Sequence, residues 1–160
     1  MKIITINPTK CTGCRMCELA CSLKNEGEFI PIKARVQVIG FDEMFSLPLM
    51  CFQCEKPYCM PACPEDAISK NDDTGLVEIN PKKCVGCRLC SIACPFGNMN
   101  FSPQRKIAVK CELCDGNPEC TTFCPTEALM YVEVDAAMLK KKKALADRIR
   151  DINDNVELPE

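Results

Sequence analysis

Sixteen cysteines in four groups of four constrain this 160-residue chain more than any other feature. Two groups have the spacing C-x2-C-x2-C-x3-C, and the other two lengthen the second gap to four and five residues. The groups are I (Cys11, Cys14, Cys17, Cys21), II (Cys51, Cys54, Cys59, Cys63), III (Cys84, Cys87, Cys90, Cys94) and IV (Cys111, Cys114, Cys120, Cys124). At this density the cysteines decide the structural class, as a disulfide framework or as metal ligands.

The rest of the sequence favours metal. The first residues, MKIITINP, lack the apolar stretch of a signal peptide, and no apolar run approaches the roughly 18–20 residues of a membrane span. We therefore expect a soluble, cytoplasmic protein without a direct membrane span, in which thiols stay reduced. Histidine is absent, which excludes haem, Rieske and Cys/His zinc ligation through imidazole. A formal charge of −2 without a basic arm argues against a nucleic-acid partner.

The cysteine spacing is typical of bacterial ferredoxins that bind [4Fe–4S] clusters. Three closely spaced thiolates hold one cluster, and the fourth binds the neighbouring cluster of a pair. Gly13 and Gly86 lie where the loop must turn tightly, which predicts positive φ. A proline follows the last cysteine of three groups, where it would end a short helical turn. The alternative, zinc, prefers separated pairs of cysteines with four ligands per ion, which this spacing does not suit.

A repeated phrase indicates how the groups pair. Residues 6–21 read INPTKCTGCRMCELAC and residues 79–94 read INPKKCVGCRLCSIAC, identical at eleven of sixteen positions. Before the second copy, residues 67–70 and 76–79 predict two short strands around the turn NDDTG. Groups II and III with this hairpin form one two-cluster ferredoxin unit.

The chain ends predict a second unit of the same kind. Residues 128–134 would be one strand and residues 2–6 the other, so that groups I and IV form a unit whose hairpin is cut open at its turn. Residues 1–135 are then an α+β domain of two interleaved ferredoxin-like units with short β-hairpins. The rival pairing, I with II and III with IV, leaves the second hairpin unexplained.

Cross-ligation within the two units predicts four sets of cluster ligands. They are the first set (Cys11, Cys14, Cys17, Cys124), the second (Cys21, Cys111, Cys114, Cys120), the third (Cys51, Cys54, Cys59, Cys94) and the fourth (Cys63, Cys84, Cys87, Cys90). All sixteen thiols are used in four complete sets, so no iron is left open for substrate and we expect an electron relay that is not catalytic alone. Arg15 and Arg88 either offset cluster charge or are ordinary surface arginines.

The stretches KCTGCRMCELAC, CFQCEKPYCMPACPEDAI, KKCVGCRLCSIACPFG and AVKCELC resemble the four motifs of the dimethyl-sulfoxide-reductase iron–sulfur subunit family. Relatives in that family serve formate dehydrogenases, formate hydrogenlyase, hydrogenase systems and tungsten aldehyde oxidoreductases. The resemblance covers about residues 1–135. It departs from the family at Ser22, which stands where a proline is usual, in the short loop of group IV, and in lacking long insertions and a C-terminal membrane anchor.

The resemblance implies an electron-transfer subunit with four [4Fe–4S] clusters, working with a catalytic oxidoreductase subunit. Compact chains of this kind favour a tungsten or molybdenum pterin enzyme of aldehyde oxidoreductase type, with a ferredoxin or a further redox subunit as the other partner. The alternatives are a hydrogenase or formate dehydrogenase complex, a free-standing polyferredoxin carrier, and a structural or redox-sensing thiolate–metal protein.

Three segments lie outside the cysteine groups. Residues 34–41 alternate as a half-buried strand does, and the apolar residues 41–50 either cover clusters or dock a partner. Residues 99–102 and 106–110 predict a further hairpin. We find no sustained helical periodicity before residue 136, and expect a helix over residues 136–152 followed by an acidic tail to residue 160.

Overall fold

The computed structural model describes residues 2–41, 45–135 and 138. Its elements in that part of the chain include four separate two-stranded antiparallel sheets, three α-helices and three short 3-10 helices. The strands are β1 (Lys2–Ile6), β2 (Val36–Phe41), β3 (Phe45–Met50), β4 (Ile68–Lys70), β5 (Val77–Ile79), β6 (Asn100–Ser102), β7 (Ile107–Val109) and β8 (Leu129–Glu133). The helices are α1 (Met16–Glu26), α2 (Leu89–Ala93) and α3 (Glu119–Thr122).

The two ends of the cysteine-rich region pair with each other. Strand β1 lies antiparallel to β8, with Lys2 opposite Glu133 and Ile6 opposite Leu129. The amide of Asn7 extends the ladder by donating to the Ala128 carbonyl at 2.7 Å. The sequence prediction that these distant segments form one hairpin cut open at its turn is confirmed.

The uncut counterpart is the hairpin of β4 and β5, with Ile68 opposite Ile79. It ends as the first hairpin does, since the Asn80 amide donates to the Ala67 carbonyl at 2.7 Å. The predicted hairpin of β6 and β7 is also present, with Asn100 opposite Val109.

The insertion between groups I and II folds back as the hairpin of β2 and β3, with Val36 opposite Met50. Val36, Val38 and Met50 are buried in one apolar cluster with Cys17, Cys21 and Cys120. This face of the insertion therefore covers cysteines, which is one of the two roles predicted for it. Phe41 and Phe45 stay exposed, with ring centroids 5.7 Å apart.

Helix α1 was not predicted, because the sequence shows no sustained helical periodicity before residue 136. It runs for eleven residues and buries Cys17, Ala20 and Cys21 on one side. Cysteines supply this helix with its apolar face, so a search for aliphatic periodicity misses it. Gly27 ends the helix in the left-handed conformation, and its amide donates to the Leu23 carbonyl at 2.9 Å.

Two small apolar clusters make up the core, and both contain cysteines. The first lies under β2, β3 and α1, with Cys11, Cys111 and Cys124 packed against it. The second contains Ile68, Val77 and Met99, with Cys59, Cys63, Cys84 and Cys94 packed against it. Aliphatic side chains therefore share the interior with the thiols. The helix and acidic tail predicted from residue 136 onwards lie outside the described residues, apart from Met138.

Candidate metal centres

The thiols of Cys51, Cys54, Cys59 and Cys94 line one cavity together with Val77, Pro95 and Met99. Burial raises the pKa of the Cys59 thiol to about 11, with a further contribution from Cys51 and an opposing one from Lys110. Burial also raises the pKa of Cys54, and the Cys51 and Cys94 thiols add to the shift. Four sulfurs therefore face a small space that is otherwise apolar.

The thiols of Cys63, Cys84, Cys87 and Cys90 line a second cavity, with Ile68 and Ile79 of the β4–β5 hairpin at its wall. The Ala67 amide donates to the Cys63 sulfur at 3.3 Å. Burial raises the pKa of the Cys90 thiol, and the nearby Cys84 and Cys87 thiols raise it further. Arg88 also lines this cavity, and its guanidinium lies 3.9 Å from the centre of the Phe101 ring.

The thiols of Cys21, Cys111, Cys114 and Cys120 line a third cavity under Val36 and Met50. The Cys21 sulfur accepts from the Arg35 amide at 3.2 Å and from the Asn25 side chain at 3.5 Å. Burial raises the pKa of Cys111 to about 12, and the nearby Cys21 and Cys51 thiols add to it. Burial raises the pKa of Cys120 in the same way.

Of the remaining four cysteines, Cys17 belongs to the first apolar cluster, Cys11 and Cys124 pack against it, and Cys14 is exposed. Burial raises the pKa of Cys17 to about 12, with contributions from Glu18, Cys14 and Cys11. Burial opposes ionisation of Cys124, but hydrogen bonds from the Leu129 amide and the Thr126 side chain lower its pKa overall. Cys11 and Cys124 both pack against the cluster that contains Cys17.

The cysteine loops turn as the repeated phrase predicts. Gly13 and Gly86 have φ of 69° and 72°, so the prediction of positive φ is confirmed. A Cβ at Gly86 would lie 2.3 Å from the Lys106 carbonyl oxygen, which leaves no room for a side chain there. Arg15 and Arg88 also have positive φ, at 58° and 65°, and each precedes a helix that carries the next cysteines.

Sulfur donors around a cavity suit a cluster better than a single ion. Among the described residues no three His, Cys, Asp or Glu side chains converge on one ion position. Four thiols spaced around an apolar space, with backbone amides aimed at the sulfurs, are the donor set that a [4Fe–4S] cluster uses. The residues present therefore fit that cofactor.

The sequence reasoning missed three polar residues close to the thiols. Lys110 is fully buried, Gln53 is 3% exposed and Arg35 is 8% exposed. A lysine precedes the first cysteine of groups I, III and IV, but Lys10 and Lys83 are exposed, so the sequence carries no signal that singles out Lys110.

A 4Fe-4S dicluster domain model matches residues 42–135, more than half of the chain, and a 4Fe-4S binding domain model matches residues 4–22. The chain belongs to the 4Fe–4S dicluster family. It is an iron–sulfur electron-transfer protein that binds multiple [4Fe–4S] clusters, as the cysteine spacing predicts.

Three relatives show which proteins this chain is similar to in sequence. The polyferredoxin-like subunit of an aliphatic sulfonate oxidoreductase from Pyrococcus furiosus is 40% identical, over 76% of this chain and 70% of the relative. A putative electron transport protein, YsaA, from Escherichia coli is 37% identical, over 84% of this chain and 91% of the relative. Formate hydrogenlyase subunit 2 from Escherichia coli is 33% identical, over 89% of this chain and 87% of the relative.

Within the described part of the chain, none of the helices has the length and apolar character needed to cross a bilayer.

Proposed function

We propose that this protein relays electrons through four [4Fe–4S] clusters between a catalytic oxidoreductase subunit and a second redox partner. The observation that carries the proposal is the lining of three cavities by four thiols each. When bound, each cluster would accept and release one electron. The protein's own part is to hold the clusters close together, exclude water and set their potentials.

The proposed ligand sets are the four crossed sets that the sequence predicts. Cys94 lines the cavity of Cys51, Cys54 and Cys59, and is separate in sequence from all three. Cys63 in the same way joins Cys84, Cys87 and Cys90. These two linings support the pairing of group II with group III, in two interleaved ferredoxin-like units over residues 1–135. The lining by Cys21, Cys111, Cys114 and Cys120 supports the pairing of group I with group IV.

Neighbouring thiols give the proposed order of the clusters. Cys17 of the first set is buried in one apolar cluster with Cys21 and Cys120 of the second. Gln53, which stands between Cys51 and Cys54 of the third set, donates through Nε2 to the Cys111 carbonyl of the second at 2.7 Å. Cysteines of the third and fourth sets pack against one apolar cluster. The sets therefore follow one another as first, second, third and fourth.

The two ends of this line are the natural points of electron entry and exit. Cys14 of the first set and Cys87 of the fourth are the exposed cysteines of the chain. Exposed apolar side chains surround the fourth set, with Val85 at 64% and Ile92 at 81% exposure. Each terminal set thus has one exposed cysteine through which a partner could approach, whereas the cysteines of the two middle sets are buried or half-buried.

For the catalytic partner we favour a tungsten or molybdenum pterin enzyme of aldehyde oxidoreductase type. The support for that enzyme class is the motif resemblance, and the relative from an aliphatic sulfonate oxidoreductase supports a role as a subunit of an oxidoreductase complex. A formate dehydrogenase or hydrogenase complex is the second candidate, favoured by the similarity to a formate hydrogenlyase subunit.

A metal inventory on protein isolated without oxygen from its own host tests the partner. About sixteen irons per chain, with tungsten or molybdenum on a large co-purifying subunit, is the expected result. Nickel on the second subunit would favour a hydrogenase. Sixteen irons on a lone chain would make the protein a free carrier, and zinc in place of iron would overturn the proposal.

Iron counts on paired cysteine variants test the ligand sets. Cys14→Ala combined with Cys124→Ala removes two ligands of one proposed set, so we expect the loss of one cluster, about four irons. Cys114→Ala combined with Cys124→Ala touches two sets and should lose two clusters. If each group of four instead held its own cluster, the two results would be exchanged, which makes the pair of variants decisive.

A further inference from the structure

Lys110 is buried, unlike the lysines that are exposed elsewhere in the described part of the chain. Its side chain is fully buried, and it directly precedes Cys111 of the second set. The Nζ atom donates to the Cys111 carbonyl at 2.9 Å and to Gln53 Oε1 at 3.4 Å. Removing an ammonium group from water is unfavourable unless negative charge nearby offsets it.

Hydrogen bonds fix the orientation of the Gln53 amide. The Val77 amide donates to Gln53 Oε1 at 3.0 Å, and Gln53 Nε2 donates to the Cys111 carbonyl at 2.7 Å. Both contacts would be lost or reversed if the amide were flipped. Lys110 Nζ therefore faces two oxygens that only accept, and this suits a charged ammonium group.

Lys110 lies where the two ferredoxin-like units meet. Gln53 stands between Cys51 and Cys54 of the third set, whereas Lys110 adjoins the second set. In the part of the chain that the structure describes, Lys110 is the one buried lysine.

We propose that the buried positive charge of Lys110 raises the reduction potentials of the second and third clusters and so favours electron transfer between the two units. This inference rests on the ligand sets of the proposed function. A fixed positive charge in a medium of low dielectric stabilises an added electron more strongly than a solvated surface lysine does. The second and third clusters are thereby easier to reduce than they would be with a neutral side chain at residue 110.

Lys110→Met is the direct test, read out by a redox titration of the anaerobic holoprotein monitored by electron paramagnetic resonance. Methionine fills a similar volume, and the two oxygens keep donors, since Val77 and Gln53 still serve them. We expect the equilibrium constant for reduction of two of the four clusters to fall at least tenfold. For a one-electron couple this makes the potential more negative by about 59 mV. Unchanged potentials, or an equal shift of all four, would overturn the inference.

Lys10→Met and Lys83→Met are matched controls, because each lysine also precedes the first cysteine of its group but is exposed. Water and salt screen their charges, so a smaller shift is expected for both. Shifts as large as that of Lys110→Met would show that burial is irrelevant and would contradict the inference.

Gln53→Glu provides a second variant that keeps Lys110 in place. The new carboxylate would still accept from Val77 and Lys110, but it removes the Gln53 donor to the Cys111 carbonyl, which Lys110 alone then serves. Because it compensates the ammonium charge, the same two potentials should fall, and potentials that stay unchanged would overturn the inference. Iron counts on the paired cysteine variants test the ligand sets separately, so failure of the relay and failure of this inference are distinguishable.

Discussion

The tight turn at Gly86 gives the sharpest test of the loop geometry. Gly86 lies between Cys84 and Cys87, has φ of 72°, and would place a Cβ 2.3 Å from the Lys106 carbonyl oxygen. Gly27 has the same φ of 72° but nothing within 4 Å of its Cβ position. Alanine at Gly27 therefore measures the left-handed conformation alone, and alanine at Gly86 measures that conformation together with the clash.

The two contributions can be estimated separately. Holding an alanine in the left-handed region costs about 1–2 kcal/mol, which is the expected destabilisation for Gly27→Ala. A carbon–oxygen contact needs about 3.3 Å or more, so at Gly86 the Lys106 backbone must move by about 1 Å. Such overpacking adds roughly 1–3 kcal/mol, for a total of about 2–5 kcal/mol in Gly86→Ala.

The assay is the guanidinium concentration that bleaches half of the visible cluster absorbance under anaerobic conditions, together with the iron retained after purification. Since cofactor-containing proteins do not unfold in two states, the order of the variants is the result to compare. Gly86→Ala should bleach at a clearly lower concentration than Gly27→Ala and lose about four irons, those of the fourth set. Equal midpoints and full iron content in both variants would refute the reasoning.

Three further predictions follow from the packing. Gly13→Ala should behave like Gly27→Ala, because the atom 2.8 Å from its Cβ position is the rotatable Ser46 hydroxyl, and a loss as large as at Gly86 would contradict this. Ser22→Pro should destabilise the protein by about 3 kcal/mol or more, measured by the same bleaching assay, because proline interrupts α1. In iron-free protein, burial raises the pKa of Cys17 from 9.0 to about 12, which favours its protonated thiol in the fold. The stability of that fold should therefore be greatest below pH 9 and fall as pH rises from 9 towards 12; urea midpoints independent of pH across that range would contradict it.

Most of the fold could be predicted from the spacing of the cysteines and from the duplicated phrase. They predicted the hairpins of β1 with β8 and of β4 with β5. In each hairpin one strand follows a Cys-Pro pair, and its partner strand leads into the sequence INP-x-K-C. Pairing over 125 residues is hard to infer from local propensity, but the repeat made it visible.

What the sequence did not reveal depends on which side chains are buried together. Helix α1 was missed because the buried positions that give it an apolar face include Cys17 and Cys21, which were read as metal ligands and not as part of a helical pattern. Lys110 and Gln53 were missed because a lysine and a glutamine beside cysteines look ordinary until burial distinguishes them. Such contacts arise from tertiary packing between groups far apart in the chain, and no local pattern encodes them.

The same packing explains why two copies of one phrase need not form equivalent sites. Pro95 follows Cys94 and cannot continue a helix, so α2 ends after five residues, at Ala93. Ser22 follows Cys21 and keeps its amide, so α1 continues to Glu26 and brings Asn25 to the Cys21 sulfur.

That extension changes the environment of the second set. The Ser22 hydroxyl accepts from the Ile30 amide at 3.2 Å, which holds the insertion so that the Arg35 amide also reaches the Cys21 sulfur. Hydrogen bonds to sulfur stabilise the added negative charge of a reduced iron–sulfur centre and so raise its potential. One serine in place of a proline thus gives the Cys21 end of the repeat a richer set of hydrogen-bond donors, so we expect the clusters held at the two copies of the phrase to have different reduction potentials.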